Sequence, residues 1–203
     1  MRIAEMAEIQ KRVQYIQQLY RKLIKCYSHP GSVEEFPTDD NLDFEFDSEL
    51  DKPLLSIALL LLDREVTHEI VGAPADERST LVELTYSRRT GNDADYIFIC
   101  RNTAAEEAEQ CLHYAKTGSL IDPQKAATVI FETDDLYSGK CITLSGPGIK
   151  DTEVLKSTCP AWLWNLRREK NRDFPLGIDI ILLDAKGRIA ALPRTTKTAG
   201  EHS

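Results

Sequence analysis

The feature that most constrains the fold is an uninterrupted run of β-forming residues near the middle of the chain. Residues 95–100 are DYIFIC, with apolar side chains at consecutive rather than alternate positions. Such a strand is buried on both faces, as in sheets that helices cover on both sides. The sequence therefore predicts an α/β protein built around a central sheet.

Helical patterns flank this run. Apolar residues between Met6 and Tyr27 recur at steps of three and four, which predicts an amphipathic helix that ends at Pro30 and Gly31. Residues 54–62 are apolar except for Ser56 and predict a buried helix, since a membrane span needs about 20 such residues. Further helices are predicted at 76–88, at 103–115 with Thr103 and Glu106 as a capping box, and after Pro160.

Strand patterns dominate the second half. Residues 67–71 predict a short strand, and residues 127–132 and 140–145 predict a hairpin around Gly139. Residues 178–183 and 188–192 predict two further strands joined by a short turn. Helices alternating with strands and hairpins indicate one α/β domain over residues 1–203, with a mixed sheet flanked by helices and a flexible tail from about residue 197.

Charge and cysteine content exclude several classes of protein. The 203 residues carry a formal charge of −8, which argues against binding to nucleic acid or to an anionic membrane. A local basic group is predicted to be a solvated helix end (Arg167, Arg168, Lys170, Arg172). Five scattered cysteines and four unpaired histidines suggest neither disulfides nor a metal site, and no signal peptide is visible. We expect a soluble cytoplasmic protein.

An acidic stretch covers residues 34–51. Leu42, Phe44 and Phe46 alternate with acidic residues, which is typical of a short edge strand, but a solvated loop is favoured. A surface for a basic partner is the remaining alternative.

A glycine-rich turn supplies the first candidate site residues, which are Ser145, Gly146 and Gly148. A turn after a strand can cradle a phosphate when its amides converge at a helix start. This turn lacks the Lys-Ser/Thr ending of a P-loop, and Pro147 removes one amide donor. A structural turn is therefore favoured.

The C-terminal part supplies the other candidates. Gly177 and Asp179 begin a strand, where Asp most often accepts hydrogen bonds from nearby amides or basic side chains. Arg194, Thr195 and Thr196 combine a guanidinium fork with two hydroxyl groups, which suits phosphate or carboxylate binding. The same groups suit a polar crosslink or a subunit contact, and that interpretation is favoured.

Several phrases resemble the PhnH family, the H subunits of the bacterial carbon–phosphorus lyase system. They are FPLGID followed by IIL (174–182), LPRTT (192–196), YRKLIK with SHPG (20–31), TGS (117–119) and LSGPGI (144–149). Their order along the chain agrees with the family, so the resemblance covers nearly the whole sequence.

The resemblance implies a non-catalytic subunit with no cofactor of its own. Members have a fold similar to the large domain of pyridoxal-phosphate-dependent transferases. They pair with themselves and join G, I and J subunits in a core complex that transfers phosphonate to the ribose C1 of ATP with loss of adenine. The C–P bond is then cleaved with S-adenosylmethionine and an iron–sulfur cluster on J.

Two alternatives stay open from the residues. A pyridoxal-phosphate enzyme would need a Schiff-base lysine, for which Lys140, Lys186 and Lys197 are available. A nucleotide- or phosphonate-binding protein would use Arg194 and the 145–148 turn.

Overall fold

The computed structural model describes residues 2–37 and 48–202, and within them five α-helices alternate with ten strands. The helices are α1 (Arg2–Ser28), α2 (Lys52–Leu61), α3 (Ala75–Thr85), α4 (Ala105–Tyr114) and α5 (Ala161–Lys170). The strands are β1 (Glu34–Glu35), β2 (Thr67–Val71), β3 (Arg88–Arg89), β4 (Tyr96–Ile99), β5 (Thr128–Thr133), β6 (Lys140–Ser145), β7 (Glu153–Ser157), β8 (Asp179–Asp184), β9 (Arg188–Leu192) and β10 (Lys197–His202).

Seven strands form the central sheet in the order β1-β9-β8-β5-β4-β2-β3. Strands β3, β2, β4, β5 and β8 run parallel, whereas β9 is antiparallel to both of its neighbours. A second, antiparallel sheet has the order β10-β6-β7. The predicted α/β architecture, a mixed sheet flanked by helices, is confirmed.

Alternating residues of the central strands face two separate cores. Ile97, Val129 and Ile180 face α4, α5 and the small sheet, in one buried cluster that includes Trp164. Their neighbours Phe98, Ile130 and Ile181 belong to a second cluster with α1, α2 and α3. Because both faces of the sheet are covered, the continuous apolar runs noted in the sequence are required for burial on both sides.

The hairpin predicted from residues 127–132 and 140–145 is wrong. Strand β5 lies between β4 and β8 in the central sheet, while β6 pairs with β7 and β10 in the small sheet. With both edges of β5 already paired, no hydrogen-bonding edge remains for β6. Strand β8 and strand β9 do form the predicted antiparallel pair, with Ile180 opposite Leu192.

The predicted capping box at Thr103 is also wrong. Ala104 is the N-cap of α4, and Thr103 Oγ1 instead donates towards the carbonyl oxygens of Cys100, at 2.6 Å, and Val71, at 3.0 Å. Thr103 thus joins the ends of two neighbouring strands.

Other boundaries also differ from the sequence predictions. Helix α3 ends before residue 88 because Tyr86 adopts a left-handed conformation with φ 58°. Residues 197–202, predicted as the beginning of a tail, form β10 against β6. The possible edge strand at 42–46 lies outside the described residues. Within the described ranges, no helix has the length and apolar character needed to cross a membrane.

Candidate functional site

The carboxyl ends of β2, β4 and β5 meet at one edge of the central sheet. After β2 the chain passes through α3, on one face, to the outer strand β3, and after β4 it passes through α4, on the other face, to β5. The connections that leave β2 and β4 therefore run in opposite directions along the sheet and cover opposite faces of it. In open α/β sheets, ligands bind in the crevice outside such a divergence.

A cleft with two chambers lies at this edge, and both chambers are lined by Cys100, Arg101 and Glu132. The α2–α3 chamber, of about 370 Å³, also includes Asp51, Leu54 and residues 72–74. The α4–α5 chamber, of about 170 Å³, is completed by apolar side chains (Ala105, Ala108, Phe131, Pro160, Trp162) and by polar ones (Thr103, Thr133, Asp134, Thr158). Apolar walls with a few converging polar groups are typical of small-molecule sites.

Glu132 is the buried carboxyl group between the two chambers. Its side chain is 5% exposed, and Oε2 accepts a hydrogen bond of 3.1 Å from the backbone N–H of Arg101. The other carboxylate oxygen, Oε1, accepts no hydrogen bond from the described residues. It lies 3.9 Å from Arg101 Nη2. Burial raises the pKa of Glu132 to about 7, with the nearby Asp51 acting in the same direction and Arg101 against it.

Arg101 supplies the positive charge of the cleft. Its Nη2 donates to Asp51 Oδ2 at 2.8 Å, whereas Nε is buried without a hydrogen-bond partner among the described residues. Nε lies 3.9 Å from the exposed carboxylate of Asp134. The guanidinium therefore has donors still available.

Cys100 contributes a neutral thiol. Burial raises its pKa to about 12, and the carboxylates of Glu132 and Asp51 act in the same direction. Because the thiolate is the reactive form, this cysteine is a poor nucleophile at neutral pH.

Asp179 and Arg194, two of the residues singled out in the sequence, lie at the opposite edge of the sheet and contact each other. Arg194 Nη2 is 2.6 Å from Asp179 Oδ2, and the backbone N–H of Arg194 donates to Asp179 Oδ1 at 2.6 Å. Arg194 Nη1 donates to the carbonyl oxygen of Pro123 at 2.6 Å. The pair joins the start of β8, the end of β9 and the loop before β5.

The turn residues meet the chain that follows β9. Ser145 lies opposite Lys197, and a Cβ on Gly146, whose φ is 131°, would lie 2.9 Å from the carbonyl oxygen of Thr195. Gly148 packs against the backbone of Ser28 at the end of α1. Strand β7, not a helix, follows this turn, so no helix N-terminus points at it.

Gly177 occupies a separate backbone junction. Its φ of 140° favours glycine, a side chain there would meet Asn171, and its N–H donates to the carbonyl oxygen of Thr117 at 3.0 Å. The structure thus joins Asp179 to Arg194 and Gly146 to Thr195 and Thr196, whereas Ser145 pairs with Lys197. Their role in ligand or subunit binding stays a prediction.

Arg167 corrects the prediction of a solvated basic helix end. Its side chain is fully buried, and it donates to the carbonyl oxygens of Thr196 at 3.0 Å and Pro193 at 2.7 Å. Burial lowers its pKa to about 10, so it stays charged at neutral pH. Thr196 is buried too, and its Oγ1 has no hydrogen-bond partner among the described residues.

The cleft was not predicted from the sequence. Glu132 and Arg101 each come directly after a run of apolar residues that predicts a buried strand. A charged residue at the end of such a strand is the sequence signal that could have identified them. Lys140, Lys186 and Lys197, considered for Schiff-base chemistry, are exposed and line neither chamber.

Together, the mixed sheet, its covering helices and the cleft at the carboxyl ends of its parallel strands define an α/β protein with an open sheet. The chain belongs to the PhnH family: the family model described as "Bacterial phosphonate metabolism protein (PhnH)" matches residues 7–199. This confirms the resemblance found in the sequence.

Two curated relatives agree with this membership. A putative C-P lyase subunit protein, HtxG of Stutzerimonas stutzeri, is 29% identical over 184 residues, covering 89% of this chain and 84% of that protein. The PhnH subunit of alpha-D-ribose 1-methylphosphonate 5-triphosphate synthase from Rhizobium meliloti (strain 1021) is 24% identical over 192 residues, covering 91% and 90%.

Proposed function

We propose that this chain is a non-catalytic subunit of a carbon–phosphorus lyase core complex and is needed for phosphonate catabolism. The family match over residues 7–199 carries the proposal, and both curated relatives have names that describe subunits of such systems. In the proposed role, the chain supports the transfer of phosphonate to the ribose C1 of ATP, with loss of adenine, ahead of C–P bond cleavage.

The environment of the cysteines supports a role outside the redox chemistry of the complex. Burial raises the pKa of Cys26, Cys111 and Cys159 to about 11, and these side chains pack in the two cores. Buried neutral thiols act as small apolar groups. Free cysteines also suit the reducing cytoplasm in which we place the protein.

The partners we propose are the G, I and J subunits, with a homodimer when the chain is isolated. Exposed apolar side chains support a binding surface, because large exposed apolar groups often mark protein interfaces. Leu120 and Ile121 are 75% and 90% exposed, and Phe174 is 67% exposed. The loop that carries Phe174 is hydrogen-bonded to the loop that carries Leu120 and Ile121, since the Gly177 N–H donates to the Thr117 carbonyl oxygen.

Co-purification tests the assembly. We expect the tagged chain to co-elute with its cognate G, I and J subunits in equal copies, measured by native mass spectrometry. An Ile121→Lys variant should lose partners while keeping its thermal transition, and Val154→Lys, at a half-exposed residue of β7, is the matched control. A wild-type chain that elutes alone would contradict the proposal.

The likeness to pyridoxal-phosphate transferases is part of the proposal and has less support. The mixed sheet between helices agrees with it, but the three lysines considered for an aldimine are exposed and away from the cleft. An aldimine absorbance band on addition of the cofactor, trapped on one lysine by borohydride, would instead favour an enzyme.

A nucleotide- or phosphonate-binding role through Arg194 and the 145–148 turn is the second alternative. The Arg194 guanidinium already bonds Asp179 and Pro123, so a ligand would have to compete with these contacts. Unchanged ligand affinity in an Arg194→Ala variant would count against this alternative.

A further inference from the structure

The cleft places an incompletely bonded acceptor beside an incompletely bonded donor. Arg101 Nε is buried and meets no acceptor among the described residues, and Glu132 Oε1 lies 3.9 Å from Arg101 Nη2, beyond hydrogen-bonding distance. A buried donor in a folded protein nearly always has a partner, so Arg101 Nε requires water or a ligand, and Glu132 Oε1 is open to a second donor. Two such atoms of opposite character in one cleft indicate a ligand with two different polar groups.

The charges of these side chains specify those groups. A guanidinium is the preferred partner of a carboxylate, phosphate or phosphonate group. A carboxylate pairs with an ammonium group, and Asp51 and Asp134 at the rim add to the negative potential. An anion without an accompanying cation would be repelled by these three carboxyl groups.

The rest of the α4–α5 chamber suits a short carbon chain. Phe131 and Trp162 contact each other edge to face, with ring centroids 5.9 Å apart, and Ala108 adds a further apolar wall. Helices α4 and α5 both begin at this chamber, and neither has a side-chain capping hydrogen bond. Their N-terminal amides add partial positive charge that favours an anionic group.

We propose that this cleft binds a small zwitterion in which an ammonium group and an oxoacid group are separated by a few bonds. Arg101 binds the oxoacid group and releases the half-exposed Asp51, Glu132 binds the ammonium group, and Trp162 contacts the carbon chain. Aminoalkylphosphonates and small amino acids share this chemistry. The aminoalkylphosphonate source rests on the proposed function, whereas binding itself does not require the partner subunits.

Isothermal titration of the full chain with 2-aminoethylphosphonate, β-alanine, ethylphosphonate and inorganic phosphate tests this inference. We expect 2-aminoethylphosphonate to bind with a Kd between about 1 µM and 1 mM, and at least about tenfold more tightly than ethylphosphonate, which lacks the ammonium group. A preference for 2-aminoethylphosphonate identifies the phosphonate as the source, and a preference for β-alanine identifies amino carboxylates. Both outcomes support the zwitterion site.

Two variants locate the site. Glu132→Gln and Arg101→Gln should each weaken binding by about tenfold or more, the size expected for losing one charged hydrogen bond. Glu69→Gln is the matched control, since Glu69 is also a buried carboxyl paired with an arginine, Arg89, but lines a different depression. The affinity of Glu69→Gln for 2-aminoethylphosphonate should stay within about twofold of the wild-type value.

Hydrogen exchange of the wild-type chain gives a second test, which does not require the substituted proteins to fold. Ligand at saturation should slow amide exchange in residues 100–105 and 132–135 but not in residues 193–197. The inference is overturned if neither zwitterion gives heat or protection, if ethylphosphonate binds as tightly as 2-aminoethylphosphonate, or if both variants bind like the wild type. The co-purification result is independent of these outcomes, so the two proposals can fail separately.

Discussion

Asp179 and Arg194 show how single charged residues hold distant parts of this chain together. Both side chains are more than four-fifths buried, and their contacts link residues 71 positions apart through the Pro123 carbonyl. Removal of one partner from a buried pair leaves the other charge without compensation. The pair is therefore a structural crosslink of the amino edge of the sheet.

Replacing Asp179 tests that role. We expect Asp179→Ala to lower the free energy of unfolding by about 3 kcal/mol, measured by urea denaturation, because Arg194 loses its buried carboxylate. Asp122→Ala, which removes the exposed partner of Lys125, should leave the midpoint nearly unchanged and is the control. If the two substitutions lowered the free energy of unfolding equally, the buried pair would contribute no more to stability than the exposed pair.

Glu132 makes stability depend on pH. Burial raises its pKa from 4.5 to about 7, so the folded chain holds this proton more tightly than the unfolded chain. Stability from this group is fully present below the unfolded pKa and declines as pH rises through the folded pKa. The rise in pKa corresponds to a loss of about 3 kcal/mol across that window.

A Glu132→Gln variant lacks this titration but keeps an oxygen that can accept from the Arg101 amide. Relative to the wild type, we expect it to gain up to about 3 kcal/mol of unfolding free energy between about pH 5 and pH 8. Urea denaturation of both proteins across this range measures the difference. Parallel pH profiles would show that Glu132 ionises normally in the folded chain.

At the scale of elements, α5 bonds the segment that connects the two C-terminal strands. Its residue Arg167 reaches the two carbonyl groups that follow β9, just before β10 begins. Neighbouring Arg168 is exposed on the same helix. One helix turn thus carries one structural and one solvated arginine, a distinction that depends on which face of α5 meets the sheets.

An Arg167→Met substitution should release this connection. Because one buried and one partly buried carbonyl group lose charged donors, we expect a loss of about 3 kcal/mol in unfolding free energy. Amide exchange in residues 194–199 should become faster. Arg168→Met, the matched control, should change stability by less than about 0.5 kcal/mol. Unchanged exchange in Arg167→Met would mean that the strands hold this connection without the guanidinium.

At the scale of the whole molecule, the parallel sheet separates two groups of polar residues. The cleft with Arg101 and Glu132 lies at the carboxyl edge, whereas Asp179 with Arg194 lies at the amino edge. Parallel strands place all their carboxyl ends on one side, so residues at strand starts and strand ends cannot meet. Substitutions in the cleft and substitutions in the amino-edge crosslink should therefore act independently.

Much of the fold follows from local sequence patterns. The apolar run at 95–100 became β4, the leucine-rich segment became α2, and the 178–192 region became the antiparallel pair β8–β9. The apolar runs are buried in either conformation, and their residue types separate them: β-branched and aromatic residues favour strands at 95–100 and 178–192, whereas leucines favour the helix α2. Family membership was also evident from the order of short motifs in the sequence.

Tertiary structure decided which elements meet. The 127–132 and 140–145 segments both form strands, but β5 is already paired with β4 and β8, so β6 pairs in the second sheet instead. Glu132 and Arg101 are 31 positions apart and become neighbours because β4 pairs with β5. Local patterns encode conformation and burial, whereas strand order depends on contacts across the whole chain, so the cleft becomes visible only in the folded molecule.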